Sequence, residues 1–349
     1  MALSPPHSSE LILAFPSRHV LLLTLNRPDA LNSVTVELAD ELCAVLDWFE
    51  REKELWVLVL TGAGRMFCAG ADLKGWDNRL VRAASTDQAD ISANKYGFAS
   101  ISRRLTAKPI IAAVNGGAYG GGMEILLNCD LVVADENAKF ALPEVRRGVA
   151  AIQGGIPRLA QIAGHQRASE MLLLGRTITA KDAYERFGFI NTLKPPSSVL
   201  PTALEYAKEL VEKCSPDSVQ TTKRALILAE DSNRSVLEAA WSAESSGLFV
   251  DGENLKEGLR AFVEKRSPIW KNPGANAKLP SSELREDDTL TETEFTLSFS
   301  ASSQPEVSDT ESDLTASWQE AAHIPQTGDT FTTLYVIALQ AYYSLSSYQ

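Results

Sequence analysis

The 349-residue chain is 44% hydrophobic and 22% charged, enough apolar material for one large domain or two ordinary ones. Its net charge of −12 is unevenly spread: residues 271–349 hold 12 acidic and 3 basic residues, which leaves 33 acidic and 30 basic for residues 1–270. A nearly neutral body without a basic stripe argues against nucleic-acid binding, and no apolar run reaches the ~18 residues of a membrane span.

The N-terminal "MALSPPHSSELILAF" lacks the basic and long apolar regions of a secretory signal and the Arg-rich pattern of a mitochondrial presequence, so a cytoplasmic location is expected for this form. Residues 10–25, "ELILAFPSRHVLLLTL", predict two short strands, and "NRPDALNS" a loop. Asn32-Ser33 then open a helix with apolar residues at Val36, Leu38, Leu42, Val45, Leu46 and Phe49. "LWVLVLTGAG" predicts a buried strand, "RMFCAGADLKGW" a loop, residues 90–105 a helix, and "KPIIAAVNG" another strand.

"DLVVADENAKFALPE" predicts strand, turn and strand, and residues 154–262 are mostly helical in pattern. β and α alternating first and helices last imply a layered α/β core with a helical C-terminal part. From Gly274 onward, 22 of 76 residues are Ser or Thr and no structural period persists, which predicts a disordered tail. Cys43, Cys68, Cys129 and Cys214 are scattered without a CxxC pair, and no metal site is expected. None of the four histidines sits in a nucleophile triad pattern, which argues against a nucleophilic hydrolase.

The chemistry concentrates in "GGAYGGGMEILLNCD", residues 116–130. The stretch lacks the Gly-Lys-Ser/Thr of a phosphate loop and the G-x-G-x-x-G of a dinucleotide site, and the acid at Glu124 would repel a phosphate. Two readings stay open: a glycine run needed for tight packing, or a helix entrance whose free N–H groups stabilise an oxyanion, with Glu124 in the first turn. "FCAGADLK" offers a second backbone donor at Ala71, and "FALPEVRRG" a second carboxylate at Glu144, beside Arg146 and Arg147.

Five ordered motifs, "LNRPDALNS", "FCAGADLKGW", "KPIIAAVNGGAYGGGMEILLNCDLVVADENAKFALPE", "LLLGRTITAKDAYERFGFIN" and "EGLRAFVEKRSPIW", resemble the enoyl-CoA hydratase/isomerase (crotonase) family over roughly residues 10–270. The resemblance implies a spiral of ββα units in residues 1–195, a C-terminal helical trimerisation subdomain of the same fold in 196–272, and the tail in 273–349. It implies an acyl-CoA thioester as substrate, no cofactor, and a homotrimer or dimer of trimers.

By the same resemblance the oxyanion donors are the N–H groups of Ala71 and Gly121, and Glu124 and Glu144 are the catalytic pair of a hydratase. Glu124 would deprotonate the water attacking Cβ, and Glu144 would protonate Cα. CoA contacts fall on Ala69, Ala71, Asp72, Leu73 and Lys74, and on Phe262 and Lys265 from a neighbouring subunit. A double-bond isomerase using Glu144 alone is the enzymatic alternative, and an RNA-binding relative the non-enzymatic one.

Gly117, Tyr119 and Gln153 depart from the family's usual residues and put the acyl chain in question. Ala277-Lys278-Leu279 resembles a peroxisomal targeting tripeptide, internal in this chain, which suggests peroxisomal import for a product ending there.

Overall fold

The computed structural model describes residues 3–72, 95–229 and 253–272, all within one compact unit spanning Met1–Asp287. The expected helix start at residue 90, the tail from residue 273 and the tripeptide ending at Leu279 lie outside the described residues.

The chain opens with the expected pair of strands, β1 (Leu11–Ala14) and β2 (Val20–Leu25), joined antiparallel. Helix α1 follows (Val36–Arg51), and its start differs from the sequence expectation. Thr35 caps it, accepting the Leu38 N–H on Oγ1 at 3.2 Å. Asn32 is instead fully buried in the preceding loop: its amide donates to the carbonyls of Ala63 and Met66, and its Oδ1 accepts the Arg27 N–H. At the other end of α1, the buried Lys108 ammonium donates to the Phe49 and Glu52 carbonyls, which closes the helix C-terminus.

Three strand pairs then repeat: β3 (Val57–Gly62) with β4 (Met66–Cys68), β5 (Ile110–Val114) with β6 (Gly117–Tyr119), and β7 (Leu131–Asp135) with β8 (Lys139–Ala141). The first member of each pair enters a six-stranded sheet and the second a four-stranded one. With β9 (Ile178–Thr179) and β10 (Thr192–Lys194), the orders are β1-β2-β3-β5-β7-β10 and β4-β6-β8-β9. This is the predicted ββ repeat; helix α2 (Gly121–Leu127) completes the β5–β6 unit.

The large sheet is parallel from β2 through β10, so its central strands are covered on both faces and read as continuous apolar runs. Alternate residues divide between two cores. Leu58, Leu60, Ala112 and Val114 join Leu38, Leu42, Leu46 and Phe49 of α1. Val57, Val59, Ile111 and Ala113 join Val199, Ala203 and Ala207 on the opposite face. Those last three belong to a later helix, so part of the C-terminal subdomain is also the second layer of the sheet.

Helices α3 (Gly155–Ala163) and α4 (His165–Leu174) follow the small sheet. Helices α5 (Val199–Lys213), α6 (Pro216–Ala229) and α7 (Glu253–Glu264) bear out the helical C-terminal pattern among the described residues. No helix among them is long and apolar enough to cross a membrane.

The expected helix over residues 90–105 is corrected where it is described. Residues 95–105 form turns around a single 3₁₀ turn at Phe98–Ser100. Gly97, Ala99 and Ser100 have positive φ, and the Ser102 hydroxyl takes the Phe98 N–H, an alternative to the helical ladder.

Candidate active site

The loop after β4 and the entrance of α2 meet edge to edge. Gly70 has a φ of 94°, and a Cβ added there would lie 2.8 Å from the Tyr119 carbonyl and 3.2 Å from the Gly121 nitrogen. Only glycine permits this approach, which brings the two expected donor segments together.

The loop is oriented by a parallel bridge between Val34 and Ala71. Val34 donates to the Gly70 carbonyl at 2.9 Å and accepts from the Asp72 N–H at 3.0 Å. In such a bridge the residue between those two partners turns its own N–H away, so the Ala71 amide faces away from Val34. Ala69 donates to the Leu31 carbonyl, and the Asp72 carboxylate is held by Arg27 Nη2 at 3.0 Å. Both residues are therefore structural supports of the loop, and Arg27, unassigned from sequence, is its clamp.

At the entrance of α2, Gly120 (φ 56°) accepts the Met123 and Glu124 N–H groups, leaving the Gly121 amide without an intrahelical partner. An added Cβ at Gly121 would meet the Phe98 ring at 2.5 Å, and one at Gly122 the Cys68 carbonyl oxygen at 2.3 Å. Gly122 is thus required by packing, while the Gly121 amide, with no hydrogen-bond partner among the described residues, lies beneath the Phe98 ring.

Glu124 is buried, 3% exposed. Its Oε1 accepts the Gln153 N–H at 2.8 Å and the Gly155 N–H at 3.1 Å, the latter at the N-terminus of α3. Burial pushes its pKa up to about 7, opposed by the Gly155 amide, raised by the nearby Glu144 charge, and lowered by the Gln153 amide and Arg103. The position of Gln153 matters through its backbone amide, which no residue type announces in the sequence.

Glu144 begins a 3₁₀ turn, Glu144–Arg147, directly after β8 and Pro143. Its Oε1 stands 3.4 Å from where a Gly120 Cβ would be, beside the α2 entrance. Its Oε2 is buried without a hydrogen-bond partner, and burial raises its pKa, against its own backbone amide and the Arg147 charge. Arg146 donates from Nε to the Leu174 carbonyl, a structural role. Two carboxylates of raised proton affinity thus stand at the entrance of α2, Glu124 in its first turn and Glu144 beside Gly120, an arrangement suited to moving protons.

Leu73 and Lys74 lie outside the described residues. Phe262 and Lys265 stand at the end of α7, with Phe262 64% exposed, and no contact among the described residues brings them to the glutamates. His19 is buried and structural, stacked on Trp56 at 3.6 Å and donating to the Glu54 carbonyl.

Residues 16–273 match the enoyl-CoA hydratase/isomerase family, and the chain belongs to it. It is 42% identical over 265 residues to a mevalonyl-coenzyme A hydratase of Aspergillus fumigatus, covering 74% of this chain and 94% of the relative. A mevalonyl-coenzyme A hydratase of Beauveria bassiana is 44% identical over 278 residues, covering 77% and 97%. Among solved structures, an enoyl-CoA hydratase from Bacillus anthracis superposes with a TM-score of 0.69 at 30% identity, covering 76% of this chain and all of that one.

Proposed function

We propose that the protein is an enoyl-CoA hydratase, adding water to a 2-enoyl-CoA thioester or removing it from a 3-hydroxyacyl-CoA. The observation that carries this reading is the pair Glu124 and Glu144 at the glycine entrance of α2, each held by burial above the ordinary carboxylate range. The Ala71 and Gly121 N–H groups donate to the thioester oxygen as it gains negative charge. Ionised Glu124 takes a proton from water as its oxygen bonds to Cβ, and protonated Glu144 delivers a proton to Cα. The sum is one water added across the double bond, and dehydration is the same path reversed.

Two relatives above 40% identity carry the mevalonyl-CoA name, so the acyl group proposed is a mevalonyl-type chain, a C5 unit with a methyl and a hydroxyl on Cβ. Loss of the tertiary hydroxyl gives a 3-methyl-2-enoyl thioester. The test is enoyl absorbance followed with mevalonyl-, crotonyl- and long-chain thioesters. Preference for the mevalonyl substrate supports the assignment; a shifted double bond without hydroxyacyl product would select an isomerase instead.

The assembly proposed is a homotrimer or a dimer of trimers, in which Phe262 and Lys265 reach a neighbour's CoA and Lys74 lies along the ligand. The apolar exposure of Phe262, Val263 and Ile269 in the single chain supports a covered surface there. No cofactor enters the proposed reaction. A product ending at Leu279 is proposed to enter peroxisomes; diffuse fluorescence from a fusion ending there, identical to its Lys278→Glu control, would refute that.

A further inference from the structure

Glu124 is only as well placed as the amides that hold it, and they flank a segment, residues 151–154, without regular structure of its own. Gly154 lies between the two donors with a φ of 118°, open to few residues other than glycine. What holds this segment is Ser102, which is fully buried. Its hydroxyl donates to the Gln153 carbonyl at 2.6 Å and accepts the Phe98 N–H at 2.7 Å. Its own carbonyl accepts from Arg158 Nη1, on α3, at 2.7 Å.

The Gln153 carbonyl belongs to the peptide plane between the two amides that hold Glu124. Phe98, bonded to the same hydroxyl, carries the ring that packs against Gly121. One buried side chain therefore joins the backbone behind the carboxylate to the wall of the oxyanion amide.

We propose that Ser102 is a positioning residue for the hydration reaction, its hydroxyl keeping the Glu124 donors and the Phe98–Gly121 wall in register. The inference rests on reading Glu124 as the general base. Removing the hydroxyl leaves the Phe98 N–H and the Gln153 carbonyl buried and unpaired, and each must turn toward another partner. Rotation of the Gln153 peptide swings both amides away from Glu124. Ionised Glu124 then keeps the repulsion of Glu144 and the attraction of Arg103 but loses fixed donors, so its proton is held more tightly.

The test is steady-state hydration by the full-length protein. Ser102→Ala is expected to lower kcat about 10–100-fold with KM within about 2-fold, as when a positioned group loosens. The acid limb of its pH–kcat profile should move to higher pH, and Ser102→Thr should restore most of both. In a Glu124→Gln background Ser102→Ala should cost little more, because the two act through one carboxylate.

A folded Ser102→Ala with native kcat and pH profile, or losses that add fully in the double variant, overturns the proposal. If Ser102→Ala does not fold, Ser102→Cys, a weak donor of similar volume, carries the same expectation. Failure of both to fold assigns Ser102 to folding alone and likewise overturns it. An active Glu124→Gln would instead defeat the hydratase reading itself.

Discussion

At the scale of single residues, the two glutamates carry the sharpest expectations. Glu124→Gln and Glu144→Gln should each lower hydration kcat by about 10²–10⁴-fold, measured as change in enoyl absorbance, because each removes a positioned acid or base. Glu124 also has a stability signature. Its pKa of about 7 in the fold stands above its ordinary 4.5, so between those values the folded chain binds more protons than the unfolded one. Stability contributed by this residue is therefore full below about pH 4.5, falls as pH rises to about 7, and stays lost above, by on the order of 3 kcal/mol. Glu124→Gln should accordingly raise Tm at pH 8 and lose that advantage toward pH 4.5. An equal Tm difference at both ends would contradict the burial argument.

At the scale of elements, α2 separates two kinds of glycine. A Cβ on Gly122 meets a backbone carbonyl, that of Cys68, at 2.3 Å, so Gly122→Ala should destabilise by about 1–3 kcal/mol in urea titration through overpacking. A Cβ on Gly121 meets the Phe98 ring, a side chain able to move. Gly121→Val should therefore leave a folded protein whose hydration is abolished, since its own side chain and the displaced ring block the amide. Circular dichroism beside turnover distinguishes them, and a fully active Gly121→Val would remove this amide from the mechanism. The motif "LNRPDALNS" belongs to this scale too: Asn32 pins the motif to β4 through the Met66 carbonyl, and Arg27 clamps the loop carrying Ala71 through Asp72.

At the scale of the whole molecule, every described residue lies within Met1–Asp287 and the family match ends at residue 273. A chain ending at residue 279 should thus fold and hydrate with the native kcat/KM; a truncated protein that is folded but inactive would give residues 280–349 a part in the site. Sedimentation should return three or six times the 37.9 kDa chain mass. Phe262→Ala should raise KM for the CoA thioester while leaving kcat within about 3-fold, as loss of uniform binding does. A purely monomeric, fully active enzyme would remove α7 from the ligand site.

The sequence by itself determined β1, β2, β3, β5 and β7 of the large sheet, because continuous apolar runs such as "VLVLTG" and "IIAAV" state their burial directly, whereas the three-residue β10 fell in a stretch read as helical. It also singled out the glycine entrance and both carboxylates as candidates, since a chemistry that needs bare amides restricts residue type at each position. It misread residues 95–105 as helix, where positive φ and the Ser102 hydroxyl override an apolar pattern. Which glycine packs and which one serves a ligand depends on what crosses it, and Cys68 and Phe98 come from distant parts of the chain. The amides holding Glu124 were hidden for the same reason: backbone donors carry no residue code, and only the fold brings Gln153 and Gly155 against a carboxylate some thirty positions earlier.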